Sequence, residues 1–320
     1  MKHSKAWEWS DLTSDDVSLV ADFIAATEAF DDAPIRTPFS EVASYFGTEC
    51  PWKAQGAWAG DTLVAFGLAR IISNTQWETT ITLSGSVHPQ WRAQGVGTDL
   101  LERQVEVAHA LAGARVARAL LYVEADHKNL VALAEGFGFS RLASFVQIRG
   151  KTTTRLSAPA LSDYIAIEPM GDGVIDDIRG IHNVVVSESA LFDIQTAESW
   201  AAVLEDVDRE WCFVAVDRFG DRPRIVGYLL ASVFVSIVDG MEASEAYIDE
   251  VVVIPQWRNS GVGSAMVTAV LQRFQEAGYD SVVADVAIAD PDGSAFMDVF
   301  DETGFAEIGR THVMSLQLNQ

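Results

Sequence analysis

Apolar and polar positions alternate along this chain in two periods, and the switches between them mark out the elements. From about Asp15 to Ala29 apolar residues recur with helical spacing, and Thr13 and Asp16 stand three apart like a capping box. Asp31-Asp32-Ala33-Pro34 ends that helix, and a shorter one is predicted from Phe39 to Phe46, closed by Pro51. Gln55 to Ala59 and Thr62 to Ser73 read as a hairpin around Gly60-Asp61, followed by a strand from Thr79 to Val87 and a long helix reaching Leu111. A strand over Arg115 to Glu124, a short helix from Asn129 to Gly136 and a strand over Arg141 to Arg149 complete the first half.

The pattern then starts again. From Ile165 come helices near Val174 to Val186 and Thr196 to Leu204, with Thr196 as N-cap, and strands over Trp211 to Val216, Ile225 to Val238 and Glu245 to Val253. A helix from Val262 to Ala277, a strand from Ser281 to Ile288, a helix from Ser294 to Thr303 and a strand from Ala306 to Leu318 follow. Two landmarks fix the register of the repeat. Val87 to Gly97 matches Val253 to Gly263 in eight of eleven positions at an offset of 166, and Gly138-Phe139 falls on Gly304-Phe305 at the same offset. A duplication in one register means two copies of one domain. They are expected at 1–155 and 164–320, joined by 156–163 within the Thr-, Ser- and Ala-rich stretch Lys151 to Asp163. The fold class is α+β (mixed α/β), each copy a mixed, mostly antiparallel sheet flanked by helices.

The repeated stretch also carries chemistry. An extended apolar run ends at a proline, and an arginine and two glycines then open a helix. Glycine lets a ligand approach the backbone, and a helix start offers unpaired N–H groups and the positive end of a dipole, so the turn suits a phosphate. Ser264 and Thr98, each directly after the second glycine, add a hydroxyl.

Val-x-Pro followed by Arg-x-x-Gly-x-Gly, a helix, a strand and a late Gly-Phe resembles the GNAT superfamily of acetyltransferases. The tandem layout is similar to its two-domain actinobacterial branch, which includes mycothiol synthase. The resemblance covers nearly the whole chain. It implies acetyl-CoA as co-substrate, held by Val253, Arg258, Asn259, Ser260, Gly261, Val262, Gly263 and Ser264 in the second copy. In the first copy the corresponding residues are Val87, Arg92, Ala93, Gln94, Gly95, Val96, Gly97 and Thr98, with Asn129 against the pantetheine.

Composition narrows the picture. With 49% hydrophobic residues, nine Trp and sixteen Phe, each copy can build a substantial core. Cys50 and Cys212 have no partner spacing, and six histidines show no ligand spacing, so neither a disulfide framework nor a metal is expected. No apolar run approaches the ~18 residues of a membrane span, and the N-terminus lacks a signal core, so a soluble, cytoplasmic protein is expected. The net charge of −24 is uneven: residues 1–155 carry 14 basic and 18 acidic side chains, residues 156–320 only 8 basic against 28 acidic. Such a field disfavours nucleic acid and anionic membranes and steers cations, so a small, cationic amine is the expected partner. The sequence is silent on oligomeric state.

Acetyl transfer to an amine needs a base, oxyanion donors and an acid for the thiolate. The second copy carries Tyr247-Ile248-Asp249-Glu250 where the offset places Ile81-Thr82-Leu83-Ser84 in the first. The family resemblance implies a carboxylate base on this strand, so Asp249, Glu250 and Tyr247 are the candidate catalytic residues, and catalysis is expected in the second copy. Strand alternation puts Asp249 and Glu250 on opposite faces, leaving open which is the base. The family's acid, a tyrosine four residues before Gly-Phe, is replaced by Phe300 and Ala134. That loss leaves a rival reading open, a protein that holds acetyl-CoA as sensor or scaffold without turnover. Glu124 and His127 are expected to be solvated, and Trp91 and Trp257 to pack the loop.

Overall fold

The computed structural model describes residues 6–31, 37–48, 50–74, 78–153, 161–187, 192, 194–205, 207–238, 241–289 and 305–319. The chain divides into two compact units. One holds residues 1–142 with 311–320, the other residues 143–310.

In the first unit the strands are β1 (Glu8–Leu12), β2 (Trp52–Ala59), β3 (Thr62–Asn74), β4 (Thr79–Val87), β5 (Ala117–Glu124) and the end of β12 (Ala306–Asn319), side by side in that order. All neighbours are antiparallel except β4 and β5. Its helices are α1 (Val17–Phe30), α2 (Phe39–Tyr45), α3 (Val96–Ala112) and α4 (Lys128–Gly136). The Thr13–Asp16 capping box forms, with the Thr13 N–H donating to Asp16 at 2.8 Å. Alternation along β3 sends Phe66 and Leu68 toward α1 and α2, among Val20, Phe23, Ile24 and Val42. The opposite face packs Ala69, Ile71, Ile81 and Leu83 against Leu101 and Ala108 of α3 and Ala134 of α4.

In the second unit the order is β7 (Ile165–Pro169), β8 (Phe213–Asp217), β9 (Arg224–Val238), β10 (Met241–Val253), β11 (Ser281–Ala289) and β6 (Ser140–Lys151). Here too one pair, β10 and β11, is parallel. Helices α5 (Ile175–Val186) and α6 (Ala197–Glu205) cover the face that carries Tyr228, Leu230 and Val252, with Trp200 and Leu204 buried between them. The other face packs Ile248, Val282 and Ala284 against Met266, Val267, Val270 and Phe274 of α7 (Val262–Glu276). The helix expected at Ser294 to Thr303 and residues 156–160 of the linker expected at 156–163 lie outside the described residues.

The expected domain division follows the repeat, whereas the compact units follow strand pairing. β6 ends the first repeat, yet it pairs with β11, from Ser281↔Lys151 to Ala289↔Ala143. β12 ends the second repeat, yet it pairs with β5, from Thr311↔Glu124 to Asn319↔Ala117. The two copies are alike in pattern, so each offers the same edge to either last strand.

Candidate active site

Both glycine loops adopt one conformation. Ala93 and Asn259 each have φ 58°, and Gly95 and Gly261 have φ 92° and 85°, all left-handed. The glycines are the N-caps of α3 and α7. Arg92 and Arg258 before them are extended, and each turns its Nε back to the last strand residue, Val87 O at 3.0 Å and Val253 O at 3.4 Å. Gln94 and Ser260 use their side chains inside the loop, on Gln90 O and Trp257 O. Val96 and Val262 are buried, so only their backbones reach the concave side. Trp91 packs against Trp7 at 6.5 Å, and Trp257 lies against the α7 core, which is the packing role expected of them.

Each loop is fed by a strand that parts from its parallel neighbour. The pairing of β4 with β5 ends at Leu83↔Leu121, and that of β10 with β11 ends at Ile248↔Ala284. Beyond these points residues 84–87 and 250–253 keep their antiparallel partner on one side only, leaving the other edge open beside the loop. In the first unit Gln104 of α3 donates to Ser84 O at 2.7 Å, and Arg92 is held by Asp31 at 2.6 and 2.7 Å. The neighbouring guanidinium draws the Asp31 carboxyl below its ordinary value. Arg258 makes no ion pair among the described residues.

The units differ most where the second strand opens. In β10 the register passes from Ile248↔Ala231 to Glu250↔Leu230, so Asp249 is an extra residue with no partner, a β-bulge. β4 runs unbroken through the same region, with Leu83↔Ala69 and Ser84↔Leu68. Two expectations change as a result. The constant offset pairs Leu83 with Asp249, but in the ladder Leu83 corresponds to Ile248 and Asp249 is an insertion. Alternation predicts opposite faces for Asp249 and Glu250, but the bulge resets the alternation. Both side chains reach one face of β9: Ser232 donates to Asp249 at 3.0 Å, and Tyr228 donates to Glu250 Oε2 at 2.8 Å.

That face is acidic and crowded. The Asp249 side chain remains open to solvent, but the protein around it pushes its carboxyl up from 3.8 to about 6. The Ser232 hydrogen bond works against this shift, and the charge of Glu250 adds to it. Tyr247 donates to Asp285 of β11 and packs edge-on to Phe234, and its hydroxyl is pushed above the ordinary tyrosine range by burial and then by Asp285. Glu245 at the far end pairs with Arg149 at 2.6 Å. His182 completes the cluster, with Nδ1 2.9 Å from Tyr228 Oη and 3.1 Å from Glu250 Oε1. The sequence reading missed His182. Its one signal was a histidine at the centre of an apolar i, i+4, i+8 stripe, Ile178-His182-Val186, all buried in α5.

A model of the acetyltransferase (GNAT) family matches this chain over residues 22–139 and again over 181–300. The chain belongs to the acetyltransferase (GNAT) family. Two matched segments make it a tandem GNAT protein and an N-acetyltransferase. The mycothiol acetyltransferase of Thermobispora bispora is 26% identical over 68% of this chain and 70% of its own length. That of Thermobifida fusca is 29% identical over 72% of each. Among solved structures, a GCN5-related N-acetyltransferase from Sphaerobacter thermophilus superposes with a TM-score of 0.71 at 20% identity, over 99% of this chain and 97% of its own. A tandem GNAT protein from the clavulanic acid biosynthesis pathway does so with a TM-score of 0.64 at 14% identity, over 98% and 99%.

GNAT enzymes use acetyl-CoA, and the loops fit its pyrophosphate. Left-handed residues turn successive N–H groups to one side, a helix of 17 or 15 residues begins there, and an arginine stands beside it. The remaining expected residues sort by position. Asn129 and Thr98 are exposed, Ser264 is half-buried in the first turn of α7, and Glu124 and His127 are exposed. Ala134, at the place of the usual GNAT tyrosine, is fully buried. Phe300 lies outside the described residues. Among the described residues no three His, Cys, Asp or Glu side chains gather as metal ligands, and no helix is long and apolar enough to cross a membrane.

Proposed function

We propose that the second unit carries the transfer, moving the acetyl group of acetyl-CoA to the amine of a small, cationic acceptor, with Asp249 as the base. The observation that carries this reading is the bulge. It places a solvent-reachable carboxylate, pushed up to about 6, at the open strand edge that leads into the loop of Arg258, and the first unit has Leu83 and Ser84 on an unbroken ladder there. A base with that value is mostly ionised near neutral pH and still accepts a proton from an ammonium group close to it. Glu250, Asp285 and Tyr247 line the same face and favour a positively charged acceptor.

Bound acetyl-CoA supplies the acetyl thioester. Arg258 and the N–H groups of residues 259–263 hold the pyrophosphate, with Ser264 adding a hydroxyl. The open edge at residues 249–253 offers backbone N–H donors for the charge that grows on the thioester oxygen. With Ala134 and Phe300 at the tyrosine positions, the leaving thiolate takes its proton from water. The first unit holds acetyl-CoA more weakly, because Asp31 already occupies Arg92. The 24–29% identity to three mycothiol acetyltransferases favours including a mycothiol-type acceptor in any acceptor panel.

The test pairs binding with turnover. Acetyl-CoA affinity should fall about tenfold in Arg258→Gln and change little in Arg92→Gln, the size expected for one charge-assisted contact. Initial rates over polyamines, aminoglycosides, amino acids and mycothiol-type amines should follow Arg258 alone. Equal losses in both variants, or acetyl-CoA binding without amine-dependent turnover, would sink the assignment and favour a sensor.

A further inference from the structure

Glu250 is held more tightly than a surface carboxylate needs to be. Each of its oxygens has a partner inside the protein, Tyr228 Oη on Oε2 at 2.8 Å and His182 Nδ1 on Oε1 at 3.1 Å. His182 is 5% exposed and packs on Trp200 at 4.9 Å between ring centres, and Tyr228 is fully buried. Hydrogen-bond arithmetic fixes the tautomer. The one Tyr228 proton is committed to Glu250, so a bare Nδ1 would face two electron-rich oxygens with no proton between them; Nδ1 therefore carries a proton and donates. His182 Nε2 and Trp200 Nε1 are both buried without a partner among the described residues. The histidine is thus kept in an apolar helix stripe at the expense of an unmade hydrogen bond, which core packing alone does not explain. Phe66, the ladder equivalent of Tyr228, and Ser84, that of Glu250, show that the first unit folds the same strands without the cluster.

We propose that His182 and Tyr228 are positioning residues for the transfer: by donating to the two oxygens of Glu250 they fix its negative charge beside Asp249, and through it set the pH range over which Asp249 accepts a proton. The proposal rests on Asp249 being the base. Titratable groups from four other elements surround this position. Glu250 and Tyr247 come from its own strand, Tyr228 and Ser232 from β9, His182 from α5, Cys212 from the turn before β8, and Asp285 from β11 through Tyr247. Burial is the larger cause of the raised Asp249 carboxyl, and the like charge of Glu250 adds to it, while Trp200 of α6 packs on Tyr228. A carboxylate that swings away, or takes up a proton, relieves that repulsion and moves the working range of the base to lower pH.

The test reads the carboxyl of Asp249 itself, by its 13C resonance in the full chain, identified by its loss in Asp249→Asn. Glu250→Gln should lower the titration midpoint by about half a pH unit, the direction expected on removing a like charge. His182→Leu and the nearly isosteric Tyr228→Phe should move it the same way. His182→Asn, which keeps an N–H at the Nδ1 position, should restore the wild-type midpoint. In the Glu250→Gln background His182→Leu should add nothing. An unmoved midpoint in Glu250→Gln and Tyr228→Phe, or a His182→Leu shift as large in the Glu250→Gln background as in the wild-type chain, overturns the proposal. The acid limb of amine acetylation, followed in the same variants, separates the two readings: a carboxyl midpoint that moves while the limb stays still keeps the clamp and removes Asp249 as the base.

Discussion

A carboxylate surrounded by protein is worse off in the fold than in the unfolded chain, and Asp249 shows what that means for one residue. Its folded value of about 6 lies above the ordinary 3.8, so the fold binds a proton that the unfolded chain has released between these values. Its contribution to stability is therefore highest below pH ~4, falls as pH rises toward ~6 and stays low above that. Solvent access to the side chain limits the loss to ~1 kcal/mol. Asp249→Asn should accordingly raise the melting temperature by ~2 °C at pH ~7.5 and leave it unchanged at pH ~3.5, in melts at the two pH values. A gain of equal size at both would mean that the amide packs better for reasons unrelated to charge. The residue itself was legible in the sequence as half of an acidic pair. His182, the partner of the neighbouring Glu250, was not, because it lies 68 positions from Glu250 on another element and only the fold brings them together.

At the scale of elements, the glycine loops were the easiest part to read, since their demands are local. Left-handed backbone at Gly95 and Gly261, an arginine and a helix start are all written in one short stretch. A Cβ at position 261 forces a left-handed alanine, which costs ~1–2 kcal/mol. Gly261→Ala should weaken acetyl-CoA binding about tenfold as the loop relaxes, an effect calorimetry can measure. Gly278, also left-handed at φ 93° but beyond the other end of α7, is the control: Gly278→Ala should lower stability similarly and leave binding intact. The bulge in β10 was the hardest part to read. Alternating and bulged strands share the same composition over Tyr247 to Val253, and the extra residue shows only when the partner strand is counted. Reading faces from period two therefore put the two carboxylates apart, whereas one inserted residue brings them together.

For the whole molecule, the repeat offset revealed the duplication but not the route of the chain. β6 and β12 stand in the same place in their repeats, after Gly138-Phe139 and Gly304-Phe305, and the repeat pattern does not say which sheet either will join. Duplication also leaves the two units free to diverge. Both keep the loop, while the bulge, the acidic face and an arginine with no ion pair among the described residues are in the second unit, and the second repeat, residues 156–320, carries a charge of −20. The assignment of Asp249 as the base is decided by the amine-dependent rate of acetyl-CoA consumption against pH for the wild-type chain and for Asp249→Asn. With Asp249 as the base, the wild-type acid limb should lie between the ordinary carboxylate range and about 6, and the variant should show a rate lowered ~100-fold and no limb left there. A variant that keeps its rate and the same limb would contradict the assignment.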